Sequence, residues 1–437
     1  MNQLIKPAVA LLLSLAAASV SRAQTQAPEN GVWTLETCLD YALENNIQLR
    51  QQKNNFESSL QDSYASKYAF FPSVSAGVSQ GITKYAAGNS SAVYSGNYNL
   101  SADMTLYNGG KLRNSYKKAL TENTIDSLSV AESVNDIRIS IIEAYMQCLY
   151  ARESITVNEG NLASSKAQME RGEQLWKVGT LSRVDYAQLQ SQYKSDEYQL
   201  VSARNSYASS KLTLKQLLEL DIMDEIELAD VDGDDDAVLA LIPGKEEVYA
   251  NAKAYLPEML RSQAEVKSAE YGIAIAKAGY LPSLSLSAGA GTSNNSNSTA
   301  AFGSQIADAF NVNAGLTLRI PIFSQMQNKT SVRKAQIQYD NSLLQAAGVE
   351  KEILEKVETA YLNVVSAQSQ YVYAKQKLDY ALRSYELVSE QFTVGSKNTV
   401  ELITAQNEYT AAQQSVVLAK YTALMNKNVL DVYQGKY

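Results

Sequence analysis

Histidine is absent from all 437 residues. That removes the commonest general base, the commonest zinc ligand and every Ser-His-Asp or Cys-His arrangement. Carboxylates and two thiols remain as groups that could do chemistry. The run DVDGDDD, Asp230 to Asp236, has aspartates spaced closely enough to suggest a calcium loop. No bidentate glutamate follows, and Ala237-Val238 comes directly after, so the run reads as a solvated acidic linker. Asp185 and Glu401 each stand three residues after a capping residue, Ser182 or Asn398. There a carboxylate completes a capping box and favours the positive end of the helix dipole. Cys38 and Cys148 are too few for a disulfide framework. Cys148 falls on a helical seam and reads as a small buried hydrophobe, and the spacing leaves open whether the two pair. With no nucleophile–base pair and no metal-ligand cluster, the expectation is a protein that is not an enzyme and has no cofactor.

Stepping outward, the composition suits amphipathic helices and two-sided strands rather than thick cores: 45% of residues are hydrophobic, yet mean hydropathy is −0.24. Residues 1–23 read as a secretory signal, with Lys6 in the basic region, an apolar stretch from Ala8 to Val20, and small residues at Ser21-Arg22-Ala23. No cysteine follows that site, which argues against a lipid anchor there. Removing the signal takes two positive charges from a chain of net charge −8, and an acidic chain of −10 argues against nucleic acid as a partner. No other segment has the ~18 consecutive apolar residues of a membrane helix. An exported chain of this kind must meet a membrane with strands.

The chain is one module written twice. KYAFFP, Lys67 to Pro72, matches KAGYLP, Lys277 to Pro282, at an offset of 210. Beyond the strands the offset is 216: Ala144-Tyr145 pairs with Ala360-Tyr361, Val178-Gly179 with Val394-Gly395, Asp185 with Glu401 and Tyr193 with Tyr409. After a short extension, 24–34, the first repeat spans 35–220, an acidic linker 221–245, and the second repeat 246–437. Each repeat reads as helix, two strands, very long helix, sharp turn, returning helix. Pro72 ends the first entering helix because it lacks an N–H and clashes with the preceding turn.

Strands are expected at about 73–82, 97–107, 283–291 and 311–320. Val74, Ala76 and Val78 alternate with serines and Gly77, and Tyr98, Leu100, Ala102, Met104 and Leu106 alternate with Asn97, Asn99, Ser101, Asp103 and Thr105. Four such strands in an exported chain match a tilted crossing of a bilayer. Phe70, Phe71, Tyr107, Tyr280 and Phe323 sit at the helix-proximal strand ends, as a single interfacial girdle would require.

Long helices are expected at about 109–175 and 325–391, each ~100 Å at 1.5 Å per residue. The second carries an unbroken heptad seam, Ile353, Val357, Ala360, Val364, Ala367, Tyr371, Ala374, Leu378, Ala381, Tyr385, Val388 and Phe392. Its alternation of small and large residues lets helices interlock side by side. KVGTLS and TVGSKN form the turns, each with a glycine after valine where a helix ends in a left-handed residue. Returning helices follow at about 182–219 and 398–434. Four strands cannot close a barrel, and an open edge in lipid leaves backbone groups unpaired. The chain must therefore oligomerise; three copies give twelve strands, wide enough for a bore.

These motifs together resemble the TolC-like outer-membrane efflux protein family. The resemblance lies in LETCLDYALENNIQLR, the helix-to-strand segments FFPSVSAG and YLPSLSLSAG, the Ala-Tyr pairs and VGSKNTVELITAQNEY. It covers nearly all of the chain beyond the signal. It implies a mainly helical fold with transmembrane β-structure: a homotrimer whose twelve-stranded barrel in the outer membrane continues as a helical tunnel into the periplasm. It implies the channel of a tripartite efflux or type I secretion system, working with a periplasmic adaptor and an inner-membrane pump of RND or ABC type. A structural coiled-coil envelope spacer or surface fibre anchored by a barrel is the alternative. The resemblance also implies closure at the periplasmic tip near the Val-Gly turns, with acidic constrictions. Carried over by position, Asp185 and Glu401 are the acids, Lys397 takes the place of a basic gate residue that could pair with Asp185, and Phe392 stands where a tyrosine is common. Thr404 departs from the second acid of a cation-binding double ring. Val178, Gly179, Val394 and Gly395 are the turn residues expected to face the adaptor.

Overall fold

The computed structural model describes residues 31–84, 92–221, 223–231 and 233–437. The signal segment and most of the first strand-to-strand loop lie outside them. Helices dominate. In chain order the elements are β1 (Val32–Trp33), α1 (Leu35–Asn45), α2 (Ile47–Tyr68), β2 (Ser73–Thr83), β3 (Val93–Asn108), α3 (Lys111–Lys177), α4 (Arg183–Leu217), β4 (Glu227–Leu228) and α5 (Asp235–Val238). Then come α6 (Lys245–Tyr255), α7 (Pro257–Lys277), a 3-10 turn, β5 (Ser283–Asn295), α8 (Phe302–Asp308), β6 (Asn311–Arg319), α9 (Gln327–Thr393) and α10 (Thr399–Tyr433). The long helices have 67 residues each and the returning helices 35 each.

Two compact units form, and each draws on both halves of the sequence. Among the described residues, one comprises 31–47, Ile137–Ala240 and Ala367–Met425; the other comprises Gln48–Asp136, Leu241–Ser366 and Asn426–Tyr437.

The second unit holds a four-stranded antiparallel sheet of order β2-β3-β5-β6. Its helical core gathers Val248, Ala252, Leu256 and Met259 with Ile353, Val357, Ala360, Val364 and Leu430. Those α9 residues are the start of the heptad seam. Between Ile353 and Tyr371 the fully buried positions are the six seam residues and no others, as a 3.5-residue repeat requires. From Ala374 to Phe392 the seam is only half-buried.

The first unit is organised around Tyr145 on α3, which is fully buried. Its hydroxyl lies 2.7 Å from the Ala229 carbonyl and 3.0 Å from that of Trp33, so it ties the ends of the parallel pair β1–β4 to the helix. Cys38 and Cys148 are both buried and free, and burial pushes each thiol up to about 12. They behave as apolar filler, inert as nucleophiles.

Several elements depart from the sequence expectations. The entering helix is broken twice at matching places. Leu256 is extended because Pro257 follows it at the first helical position. Asn46, 210 residues earlier, is likewise extended. There the side chain of Asn45 donates to the Tyr41 carbonyl, and Glu219 accepts from the Ile47 N–H. Asparagine competes with helical hydrogen bonds in this way.

The acids of the inter-repeat segment Asp230, Asp234, Asp235 and Asp236 are exposed to solvent, yet the segment is anchored at several points. Leu228 and Glu227 pair with β1, Asp230 bonds Arg152, and Asp235 bonds both Lys375 and Tyr371. Lys375, then Tyr371, hold the Asp235 carboxyl below its usual range. Counter-charges on α3 and α9, invisible to local composition, tether the exposed run at Asp230 and Asp235. Among the described residues no cluster of acids could hold a metal.

Strand β3 begins at Val93, inside what reads as a loop, and β5 extends to Asn295 because Ser95 and Gly96 pair with Asn295 and Asn294. A bulge between Thr105 and Tyr107 makes Leu106 the extra residue. Tyr107, not Leu106, therefore opposes Leu284. The starts of the long helices are also matched: Gly109 and Gly110 have φ of 65° and 80°, and their counterparts Gln325 and Met326 have 49° and 67°. The second copy keeps a left-handed turn that glycine would adopt freely, at a cost of ~1–2 kcal/mol per residue.

Candidate functional site

Two places carry the candidate residues. The first is the sheet. Its register lines up Val74, Ala102, Ala288 and Ala314, then Ala76, Leu100, Ala290 and Val312, then Met104, Leu286 and Leu316. This face is apolar across all four strands. The described residues leave most of it uncovered: Val74, Val78, Val312 and Leu316 are 63–72% exposed. A contiguous apolar surface of this kind marks an interaction site.

The opposite face is polar throughout. Asp103 opposes Ser73 and Ser287, and the hydroxyls of Ser75 and Ser101 lie 2.8 Å apart. Asn99 folds over Gly77, where a Cβ would stand 2.5 Å from its Oδ1, and Asn313 folds over Gly289, where the same atom would be 2.7 Å away. A side chain at either position would displace the asparagine that lies over it.

The aromatic residues at the helix-proximal strand ends, Phe70, Phe71, Tyr107, Tyr280 and Phe323, are all exposed. Two neighbours join them that strand alternation did not reveal. Tyr68 packs on Phe71 with ring centroids 5.7 Å apart, and Tyr116 meets Phe70 edge-on at 6.4 Å. Both lie within a turn or two of a strand end, and that position is the signal that could have found them.

The second place is the pair of helical turns. Thr180 N–H donates to the Leu175 carbonyl and Ser396 N–H to that of Gln391, both at 2.9 Å. Gly179 and Gly395 between them have φ of 79° and 80°. These are Schellman closures, and they leave Val178 and Val394 exposed. Ser182 Oγ accepts from the Asp185 N–H at 3.0 Å and donates to its carboxylate at 2.6 Å. Asn398 Oδ1 accepts from the Glu401 N–H at 2.9 Å, while Glu401 accepts from the Asn398 N–H at 3.1 Å. Glu401 therefore closes a capping box with Asn398, whereas at the other turn Ser182 is the cap and the Asp185 carboxylate only holds its hydroxyl, so the capping box expected there is not formed.

Lys397 forms its ion pair with Glu401, four residues on, and not with Asp185 within the chain. Lys397 stands just before the capping Asn398, outside the helix, and reaches Glu401 in its first turn, whereas Asp185 holds the Ser182 hydroxyl. The Lys397 ammonium, then the Asn398 N–H, hold the Glu401 carboxyl below its ordinary range. Thr404 is exposed and donates back to the Val400 carbonyl at 2.8 Å, and Phe392 is half-buried. Aromatic stacking near the turns was not legible. Trp176 lies parallel to Tyr186 at 5.4 Å and Tyr385 to Tyr409 at 5.6 Å, and the Tyr385 hydroxyl meets Ser164 and Gln168. Tyr385 reads only as a seam residue and Tyr409 as the repeat counterpart of Tyr193, because sequence spacing cannot show which helices face each other.

A sequence profile of the outer membrane efflux protein family matches residues 38–219 and 248–436. The chain belongs to the outer membrane efflux protein family. Membership places it in the outer membrane, in the service of efflux. It is 22% identical to the outer membrane efflux protein BepC of Brucella suis over 76% of this chain and 70% of that one. It is 21% identical to the alkaline protease secretion protein AprF of Pseudomonas aeruginosa over 73% of this chain and 66% of that one. Among solved structures it resembles the outer membrane protein VceC of Vibrio cholerae with a TM-score of 0.79 and 15% identity, covering 92% of this chain and 96% of that one. This family's fold thus accounts for the uncovered apolar sheet face without any membrane-spanning helix, and among the described residues no helix is long and apolar enough to cross a membrane.

Proposed function

We propose that this protein is the outer-membrane channel of a tripartite efflux or type I secretion system, a homotrimer that passively conducts substrate delivered by an inner-membrane pump of RND or ABC type through a periplasmic adaptor. The sheet carries this reading. It has an exposed apolar face, a polar face and two edge strands, β2 and β6, without a further partner among the described residues. Three antiparallel steps separate β2 from β6, so the two edges run in opposite directions. The β6 edge of one copy can then continue antiparallel onto the β2 edge of the next. Such a head-to-tail contact closes into a ring, and three copies make twelve strands with a polar bore and an apolar exterior. The aromatic girdle lies at the periplasmic interface of that barrel, against outer-membrane lipid. The duplicated helices supply the tunnel, and the alanine-rich seam of α9 lets its staves pack closely.

The turns with Gly179 and Gly395 face the adaptor. Closure at the tip involves Phe392, Lys397, Thr404, Asp185 and Glu401, with Lys397 neutralising Glu401 inside each chain. Replacing Lys397 and Asp185 together by alanine removes one charge of each sign from this region and leaves Glu401 without its cation. The double variant is expected to conduct more than the parent protein in planar bilayers. An unchanged single-channel conductance would remove the gate role from these residues.

A further inference from the structure

The connection between β5 and β6 contains α8, and three hydrogen bonds seat it. Thr292 Oγ1 donates to the Ile306 carbonyl at 2.6 Å. The Asn295 N–H donates to Gln305 Oε1 at 2.9 Å, and Gln305 Nε2 donates to the Ala300 carbonyl at 2.8 Å. The first bond fixes the side. Thr292 continues the alternation of Leu284, Leu286, Ala288 and Ala290 and opposes Tyr98, so its hydroxyl rises from the apolar face. It satisfies a carbonyl of the last helical turn, which has no partner within the helix. The helix therefore attaches over the apolar side of the sheet, at the hairpin end away from the girdle residues.

Phe302 and Ile306 lie one turn apart on α8, and Phe310 stands just past its C-cap, where the chain enters β6. Ile306 is half-buried, while Phe302 and Phe310 are 58% and 60% exposed. The spacing along β6 fits a membrane boundary. From Phe310 to Ile320 the chain makes ten steps, ~33 Å at 3.3 Å per residue. Tilted by ~40°, that becomes ~25 Å, the height of a barrel's apolar band. Ile320 and Phe323 then mark one interface, and Phe310 with Phe302 falls at the other.

We propose that α8 is an interfacial anchor, which seats Phe302 and Phe310 at the headgroup–acyl boundary of the outer leaflet. The occupant of this face is lipid, by continuity with the apolar sheet face beside it. Aromatic rings favour that depth, and an amphipathic segment lying in the interface plane binds through its buried apolar area. The proposal rests on the barrel reading above, and its test separates the two.

Nitroxide labels placed by Phe302→Cys, Phe310→Cys, Leu316→Cys and Asn297→Cys in the full chain, reconstituted in lipid vesicles, report collision with oxygen and with a water-soluble nickel chelate. The native thiols are buried, so labelling goes to the introduced sites. Labels at 302 and 310 are expected to relax more with oxygen than with nickel, as at 316, while 297 shows the reverse. A lipid signal at 316 with nickel-dominated relaxation at 302 and 310 overturns the anchor alone. Shielding of 302 and 310 from both reagents also overturns it, because another copy then covers the helix. Nickel-dominated relaxation at 316 overturns the barrel reading itself.

Discussion

Replacing Leu316 by arginine is expected to destabilise the membrane-embedded protein by about 2–4 kcal/mol, the cost of a cation on the lipid face of a barrel near the bilayer midplane. Leu316 lies near the middle of β6, opposite Leu286 on the apolar face, and it is 63% exposed within the chain. A guanidinium there has no partner and no water, so its desolvation is unopposed except by snorkelling. Thr317, one residue on, pairs with Ser285 on the polar face. Thr317→Arg is expected to leave stability nearly unchanged and to alter ion selectivity instead. Urea unfolding in lipid vesicles reads the difference. Equal losses for the two variants would mean that the two faces do not meet different solvents.

The second large effect lies in the seam. Ile353→Ala is expected to cost about 2–5 kcal/mol, the sum of lost transfer free energy and the cavity left behind. Ile353 is 2% exposed and packs in the cluster with Val248, Ala252, Leu256 and Met259. These neighbours belong to helices on either side of the Leu256 break, so the gap cannot close by moving one side chain. Glu352, next to it, faces solvent, and Glu352→Ala is expected to stay within about 0.5 kcal/mol. A lowered urea midpoint with unchanged slope for the first variant and neither change for the second is the predicted pattern. Equal midpoints would show that the seam does not hold this unit together.

Periodicity made the long helices, turns and strand alternation legible, because each is a local pattern repeated over many residues. The seam from Ile353 to Tyr371 is buried at the positions a heptad repeat selects, and glycine after valine marks both left-handed turns. What stayed hidden depended on partners distant in sequence. Asp235 reads as solvated until Lys375 and Tyr371 are seen beside it. Lys397 has two acids within plausible reach, and only the conformation of the turn before α10 gives it Glu401. The bulge at Leu106 is set by the register against β5, which no single strand encodes. Pro257 announces its helix break, but Asn46 does so only by comparison with the second copy. Helix α8 was hidden in a polar loop because seven residues are too few to establish a period.

In the proposed channel, the polar face of the sheet lines a continuous conduit once copies of the chain close the barrel. Planar-bilayer recording of the purified oligomer tests it most directly. Discrete, long-lived ion-conducting steps on insertion are the predicted result. An intact oligomer that inserts into the bilayer yet passes no current, even after the Lys397 and Asp185 substitutions, would contradict it.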